Sequence, residues 1–114
     1  MTPDAYIGER QRGQLIVTRV PEGTQLTPER SLELANHSPN GFESGYCGSG
    51  PAQLALALLL DYTDDAEVAL AEYMVFKNEV VSRLEGTGTE QRWRLTGSEI
   101  EAKVGTETGE LIAS

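Results

Sequence analysis

The apolar positions in the first third of the chain follow a strand-like pattern. The run from Gln14 to Val20 (QLIVTRV) is β-branched and apolar, as in a half-buried strand. A shorter apolar segment, Ala5-Tyr6-Ile7, precedes it, and turn residues follow each run at Gln11-Arg12-Gly13 and Pro21-Glu22-Gly23-Thr24. The segment Gln25-Leu26-Thr27 is a further short strand or extended edge. The pattern predicts a two- or three-stranded antiparallel meander.

The next stretch is dominated by turn-forming residues. Ser31 to Leu34 is too short for periodicity to separate a strand end from one helical turn. From Asn36 to Gly50 the sequence is rich in glycine, asparagine and serine, with Pro39 among them, and this composition predicts a loop.

A helix is predicted from Pro51 to about Leu60. Proline suits the first turn of a helix, and Ser49 or Gly50 is the expected N-cap. Alanine and leucine occupy every face of this segment, so we expect a helix that is buried on several sides. The polar stretch from Tyr62 to Asp65 breaks it.

A second helix is predicted from Asp65 to Leu84, with Asp64 or Asp65 as its cap. Its apolar residues recur at helical spacing and predict one face packed on a core. They are Ala69, Leu70, Tyr73, Phe76, Val80, Val81 and Leu84. Most of the opposite side is polar: Glu72, Lys77, Asn78, Glu79 and Arg83.

Residues 91–96 (QRWRLT) alternate polar and apolar side chains, which predicts a strand with Trp93 and Leu95 on one side. Ser98 and Glu101 have the spacing of a capping box, so a short helix is expected over Ile100–Val104. An N-terminal meander, two helices and a returning strand favour an α+β fold, with a small antiparallel sheet packed against the two central helices.

The domain organisation is predicted to be simple. At 114 residues the chain suits one domain, which we place at residues 1–104. The glycine-containing segment 85–90 is expected to be a flexible turn, and residues 105–114 a flexible C-terminal tail. A homodimer is an alternative, since so apolar a first helix would need more cover than a chain of this length provides.

The acidic net charge of the chain disfavours some classes of partner. The chain has 18 Asp and Glu against nine Lys and Arg, a formal net charge of −9. Nucleic acid and anionic membranes are bound by clustered cations, so direct contact with either is disfavoured. The single cysteine, Cys47, allows no internal disulfide, no secretory signal is visible, and the aliphatic run Leu54–Leu60 is too short to span a membrane. We therefore expect a soluble cytoplasmic protein inside a host cell.

The glycine-rich lip, Gly48-Ser49-Gly50, is a candidate anion site because a helix N-terminus presents N–H groups and a positive dipole. It lacks the Lys and Ser or Thr of a phosphate-binding loop, and Gln53 stands where the dinucleotide motif needs glycine. A small-ligand or anion-binding module is accordingly the alternative function rather than the leading one.

Nucleophilic chemistry has little support. Cys47 precedes a helix start and His37 lies ten positions earlier, but a Cys/His pair also needs an orienting group, for which Asn36 and Glu43 are the nearby candidates. We favour a small buried cysteine and a turn histidine bonded to backbone. One histidine and one cysteine do not make a zinc site. No catalytic residue, cofactor or metal is predicted, and the protein is not expected to be an enzyme.

Two aromatic residues flank the segment Glu43-Ser44-Gly45. Phe42 and Tyr46 are either an exposed recognition loop or a cover over the aliphatic helix. We favour the cover, because large aromatic side chains are usually buried for their area.

Between residues 36 and 57 the chain contains the motifs NHSP, GF, GY and GSGPAQLALA. In this central block, and also in Tyr6-Ile7-Gly8, residues 73–81 and residues 93–100, the sequence resembles a family of small uncharacterised domains found in bacteria, archaea, phages and other mobile elements. In that family the position of Ser44 is often tryptophan and that of Cys47 often glycine. The family has no assigned activity, so the resemblance implies a fold and a mobile-element context.

Charge and this context together lead to a functional hypothesis. We expect a non-enzymatic accessory protein of a mobile element whose carboxylates bind the basic surface of a host protein. An inhibitor of a nucleic-acid-targeting defence system such as CRISPR would be a protein of this kind. The carboxylates proposed to contact the partner are Glu43, Asp64, Glu72 and Glu79.

Overall fold

Four antiparallel strands form one sheet in the computed structural model, which describes residues 3–12, 14–37, 42, 48–84 and 92–104. The strands are β1 (Ala5–Gln11), β2 (Gln14–Val20), β3 (Gln25–Leu26) and β4 (Arg92–Thr96). Their order is β3-β2-β1-β4, so the strand from the C-terminal part lies beside the first strand. The predicted meander with a returning strand is confirmed.

The two predicted turns set the register of the sheet. Gln11 pairs with Gln14, which leaves a two-residue turn in which Arg12 has a φ of 56°. A positive φ is what a tight hairpin turn with the right twist requires. After β2 the chain turns again through Gly23, whose φ is 81° and whose N–H donates to the carbonyl of Arg19 over 2.8 Å.

The helices are α1 (Glu29–Leu32), α2 (Ser49–Thr63), α3 (Ala66–Glu79) and α4, which covers residues 97–104. A 3-10 turn, Val81–Arg83, follows α3. α1 resolves the ambiguity of the segment from Ser31 in favour of a helical turn. Two helices, α2 and α3, pack on each other and cover the sheet, so the predicted α+β architecture is confirmed.

α2 is the centre of the core. Every residue from 50 to 60 is buried, which confirms a helix enclosed on all sides. The predicted start was wrong by two residues, because Gly48 is the N-cap and the helix begins at Ser49. It ends at Thr63, where Asp64 takes the left-handed conformation with a φ of 54°.

α3 is shorter than predicted, since it ends at Glu79 and the 3-10 turn follows. Its N-cap is Asp65, whose carboxylate accepts from the N–H groups of Glu67 and Val68 at 3.0 and 3.2 Å. This confirms one of the two predicted caps.

The apolar face predicted for the second helix is largely confirmed over α3 and the residues that follow it. Ala69, Phe76 and Val81 are buried, while Tyr73, Val80 and Leu84 pack partly buried against the core. Leu70 is the exception, because its side chain is 44% exposed. Successive residues of a helix point about 100° apart, so a helix that contacts α2 along one side leaves Leu70 outside the contact.

The start of α4 was also predicted wrongly. The capping box is formed by Thr96 and Glu99 rather than by Ser98 and Glu101, and the helix begins at residue 97. Thr96 Oγ1 accepts from the N–H of Glu99 at 3.2 Å, and Glu99 Oε1 accepts from the N–H of Thr96 at 2.9 Å. Thr96 is the last residue of β4, so its backbone is already extended, as an N-cap requires.

The inner side of the sheet is apolar as expected. Trp93 and Leu95 are both buried and lie on the same side of β4. Phe42 is 5% exposed and forms a single β-bridge with Leu15, which confirms its predicted place in the core.

Several predictions fall outside the described residues: those for Glu43, Tyr46 and Cys47, for the turn 85–90 and for the tail 105–114. Within the described ranges, no helix combines the length and the apolar character that crossing a membrane requires.

Candidate functional site

The acidic charge is concentrated on the helices that follow α2. Seven acidic residues lie on α3, α4 and the α2–α3 junction: Asp64, Asp65, Glu67, Glu72, Glu79, Glu99 and Glu101. The described parts of the same region carry three basic residues, Lys77, Arg83 and Lys103. This acidic helix layer is the candidate functional surface.

The sheet has the opposite balance. Its strands and first turn carry five arginines, Arg10, Arg12, Arg19, Arg92 and Arg94, against a single carboxylate, Glu9. Arg92 and Glu9 are cross-strand neighbours with a closest N–O distance of 4.0 Å. The net charge of the chain therefore conceals two regions of opposite sign, which composition does not reveal.

Two predicted partner-binding carboxylates lie together on α3. Glu72 and Glu79 line a shallow groove between α3 and α4, with Val75 between them along the helix. Glu79 pairs with Lys103 of α4 over 3.3 Å, and both side chains are about half exposed. An exposed pair of this kind contributes little to stability, so its carboxylate remains accessible to a partner.

The third described candidate, Asp64, lies apart from these two. It is the C-cap of α2 and forms an exposed ion pair with Arg30. The hydrogen bond from Arg30 holds the pKa of Asp64 below its usual value. The structure thus brings together Glu72 and Glu79 and places Asp64 at the end of α2.

The glycine lip is less open than its sequence implies. Gly48 is half-buried and extended, Ser49 is exposed, and Gly50 is buried. In the described residues no side chain caps this end of α2. Access for an anion is therefore restricted to the first two positions of the lip.

His37 has structural contacts on two sides. Its backbone N–H donates to Gln53 Oε1 over 2.7 Å, and its ring Nε2 lies 2.8 Å from the hydroxyl of Tyr73. Gln53 is fully buried, and its amide donates to Ser31 Oγ and to the carbonyl of Ala35. These bonds tie the segment after α1 to both central helices. His37 thus has a structural role, but its Nε2 contacts a tyrosine hydroxyl rather than the backbone expected from the sequence.

A partly buried polar cluster that sequence reasoning missed joins the sheet to α2. Tyr6 Oη donates to Asp61 Oδ2 over 2.7 Å, and Arg19 donates from Nε and Nη2 to the same carboxylate. Burial, followed by the bond to Asp61, raises the pKa of Tyr6 well above its usual value. The bond to Asp61 likewise raises the pKa of Arg19. The sequence indicated only that Tyr6 belongs to a short apolar segment, and nothing in it pairs this residue with one 55 positions away.

A cavity of about 60 Å³ lies beside this cluster, lined in part by Arg19, Arg30 and Asp61. Each arginine is already paired with a carboxylate, Asp61 or Asp64. The cavity therefore offers no uncompensated positive charge. Within the part of the chain that the structure describes, no group of three His, Cys, Asp or Glu residues could hold a metal ion.

The chain belongs to a family of unknown function, DUF6166, whose sequence model matches residues 6–106. Apart from Ala5, the first residue of β1, this span includes every strand and helix of the described residues. No curated protein and no solved structure matches the chain.

Proposed function

We propose that this protein is a non-enzymatic accessory protein of a mobile element that binds a host protein through the acidic helix layer. The observation that carries the proposal is the concentration of carboxylates on α3, α4 and their junction with α2, described above. Complementary charge steers association and selects partners. A surface with this charge suits a protein that presents a basic groove.

The specific role that we propose is inhibition of a nucleic-acid-targeting defence complex, CRISPR systems included. Such complexes hold the phosphate backbone with clustered Lys and Arg. A protein of net charge −9 with seven carboxylates on the acidic helix layer would compete for those cations.

The first experiment is affinity capture from host lysate with two matched variants. The double variant Glu72→Gln/Glu79→Gln removes two carboxylates from α3, and Glu22→Gln/Glu29→Gln removes two exposed carboxylates elsewhere, with the same change in net charge. We expect the α3 variant to lose the partner and the control to retain it. Recovery of no basic protein by the wild type, at low and at high salt, would reject the proposal.

The second experiment addresses the role. Expression of the protein in a CRISPR-immune host should restore transformation by a targeted plasmid, and the α3 variant should not. If transformation stays blocked while a partner is captured, the partner is of another kind and the inhibitor role is wrong.

The alternative function, a small-ligand or anion-binding module at Gly48-Ser49-Gly50, is favoured by the absence of a side-chain cap on α2 within the described residues. A ligand that binds the native state raises the melting temperature by mass action. Millimolar phosphate or nucleotide should then raise the melting temperature, and an unchanged value rejects the module.

A further inference from the structure

The exposed large hydrophobic side chains of the described chain all lie on α3. Leu70, Met74 and Val75 are 44%, 45% and 48% exposed. Leu70 and Met74 are one helical turn apart, as are Ala71 and Val75, and Ala71 is exposed as well. These four residues form a continuous strip on the outward side of the helix, here called the α3 stripe.

Single exposed apolar residues are common and need no explanation, but a contiguous group marks a binding surface. The inward face of α3 already buries Ala69 and Phe76 against the core. The α3 stripe is therefore a second apolar face on the same helix. A helix that is apolar on more than one side is expected to pack on more than one side.

Three carboxylates, Glu67, Glu72 and Glu79, and one lysine, Lys77, which follows Met74 by three positions, border the α3 stripe. Glu67 precedes Leu70 by three positions and Ala71 by four, and Glu79 follows Val75 by four. Residues at these spacings are neighbours on a helix surface. Val75 also lines the groove that Glu72 and Glu79 share with α4. The surface thus has an apolar centre and a polar rim in which carboxylates outnumber the one lysine three to one, here called the acidic rim; an apolar centre with a polar rim is the arrangement of a protein interface.

A second copy of this chain does not suit the α3 stripe. Antiparallel pairing of two α3 helices about the stripe would place Glu67 of one copy between Lys77 and Glu79 of the other, and the net charge of −9 on each copy opposes this pairing. The stripe also spans only six helical positions, about 9 Å. A stable interface takes roughly 20–30 residues from each side. Charge and size both favour a smaller, basic occupant.

We propose that the α3 stripe is the docking site for a basic amphipathic helix of the partner protein. Apolar side chains of that helix would pack on Leu70, Met74 and Val75, and its Lys or Arg residues would reach the acidic rim. Met74 suits this role because its unbranched side chain adapts to the surface it meets. The proposal rests on the proposed function and names the part of the acidic layer that anchors the partner.

The test uses the full chain and a synthetic probe. The probe is a helical peptide of about 18 residues with leucine at i, i+3, i+4 and i+7 and lysine on the remaining face. Titration into isotopically labelled protein should shift the amide resonances of residues 67–79. The double variant Leu70→Ser/Met74→Ser should weaken peptide binding at least about tenfold, as loss of an apolar anchor does.

Two controls keep this result interpretable. Leu70→Ala/Met74→Ala shortens the same side chains without adding hydroxyl groups, and it should also weaken binding. Val20→Ser removes a half-buried apolar side chain from β2, away from α3, and it should leave peptide affinity unchanged. Equal melting temperatures for wild type and the α3 variants would show that lost binding is not lost folding.

Three results would overturn the inference. The variants could bind the peptide as tightly as the wild type, the shifted amides could lie in the sheet, or sedimentation could show a dimer that Leu70→Ser/Met74→Ser abolishes. Failure of the proposed function is a separate result. If the wild type and Leu70→Ser/Met74→Ser capture the same host partner equally well, only the docking site is wrong; if the wild type captures none, the function itself is wrong.

Discussion

Tyr6 is completely buried, and its hydroxyl donates to a carboxylate that Arg19 also binds. An ionised phenol in this position would face Asp61 with little water around it. The fold therefore holds the proton of Tyr6 more tightly than the unfolded chain does. Stability linked to this residue is complete below the unfolded-state pKa of about 10 and is lost as the pH rises above it.

We expect the unfolding free energy of the wild type to fall as the pH rises from about 10 to about 11, by up to about 1.4 kcal/mol per pH unit for this one group. The free energy of unfolding of Tyr6→Phe should depend less steeply on pH. At neutral pH it should be roughly 1.5–3 kcal/mol lower than that of the wild type, because the hydrogen bond to the Asp61 carboxylate is lost. Urea unfolding at each pH measures both. Tyr62, whose pKa burial and Glu101 raise to about 12, supplies a remaining slope in the variant. Identical slopes for wild type and Tyr6→Phe would contradict this account.

The residue across the sheet from Gly8 leaves no room for a side chain at this position. It pairs with Trp93, and a Cβ atom at Gly8 would lie 2.3 Å from two carbons of the indole ring. We expect Gly8→Ala to destabilise the fold by about 1–3 kcal/mol through overpacking. Chemical denaturation of a double-mutant cycle measures the contact, because Gly8→Ala should cost less when Trp93→Leu is also present. Additive effects would mean that the indole is not the cause.

The position of α4 depends on which polar pair caps it. Thr96 and Glu99 exchange the two capping hydrogen bonds directly after β4. Thr96→Ala should therefore cost about 1 kcal/mol, whereas Ser98→Ala should remain within about 0.5 kcal/mol of the wild type. Thermal unfolding of the two variants distinguishes them, and the reverse order would restore the start that the sequence predicted.

The fold carries its acidic excess on one layer of helices and five of its seven arginines on the sheet and its first turn. Repulsion among the carboxylates of that layer opposes the folded state, and salt screens it. We expect the melting temperature to rise by a few degrees between about 20 mM and about 300 mM NaCl. The variant Glu72→Gln/Glu79→Gln should respond less. A melting temperature that falls over this range would mean that attractive pairs such as Glu79–Lys103 dominate.

Local patterns in the sequence determined most of the architecture. The run Gln14–Val20 is a strand with the predicted ends, and the alternation at Trp93 and Leu95 identified β4. The alanine and leucine residues on every face of the segment, with the aliphatic run Leu54–Leu60, predicted a helix buried on several sides, and residues 50–60 are all buried. Each of these features is a periodicity or a turn signal within a short window, and the backbone responds to such signals directly.

What only the tertiary structure decided depends on residues far apart in the chain. The pairing of Tyr6 and Arg19 with Asp61, the burial of Gln53 against His37, and the exposure of Leu70 all follow from which elements meet. The separation of acidic helices from an arginine-bearing sheet has the same origin, because the net charge is a total over the chain and does not say where the charged residues lie in the fold. The α3 stripe could be recognised only from the tertiary structure, which shows the side of α3 that packs on the core. Helical periodicity groups the apolar residues into faces, but it does not say which of those faces will be buried.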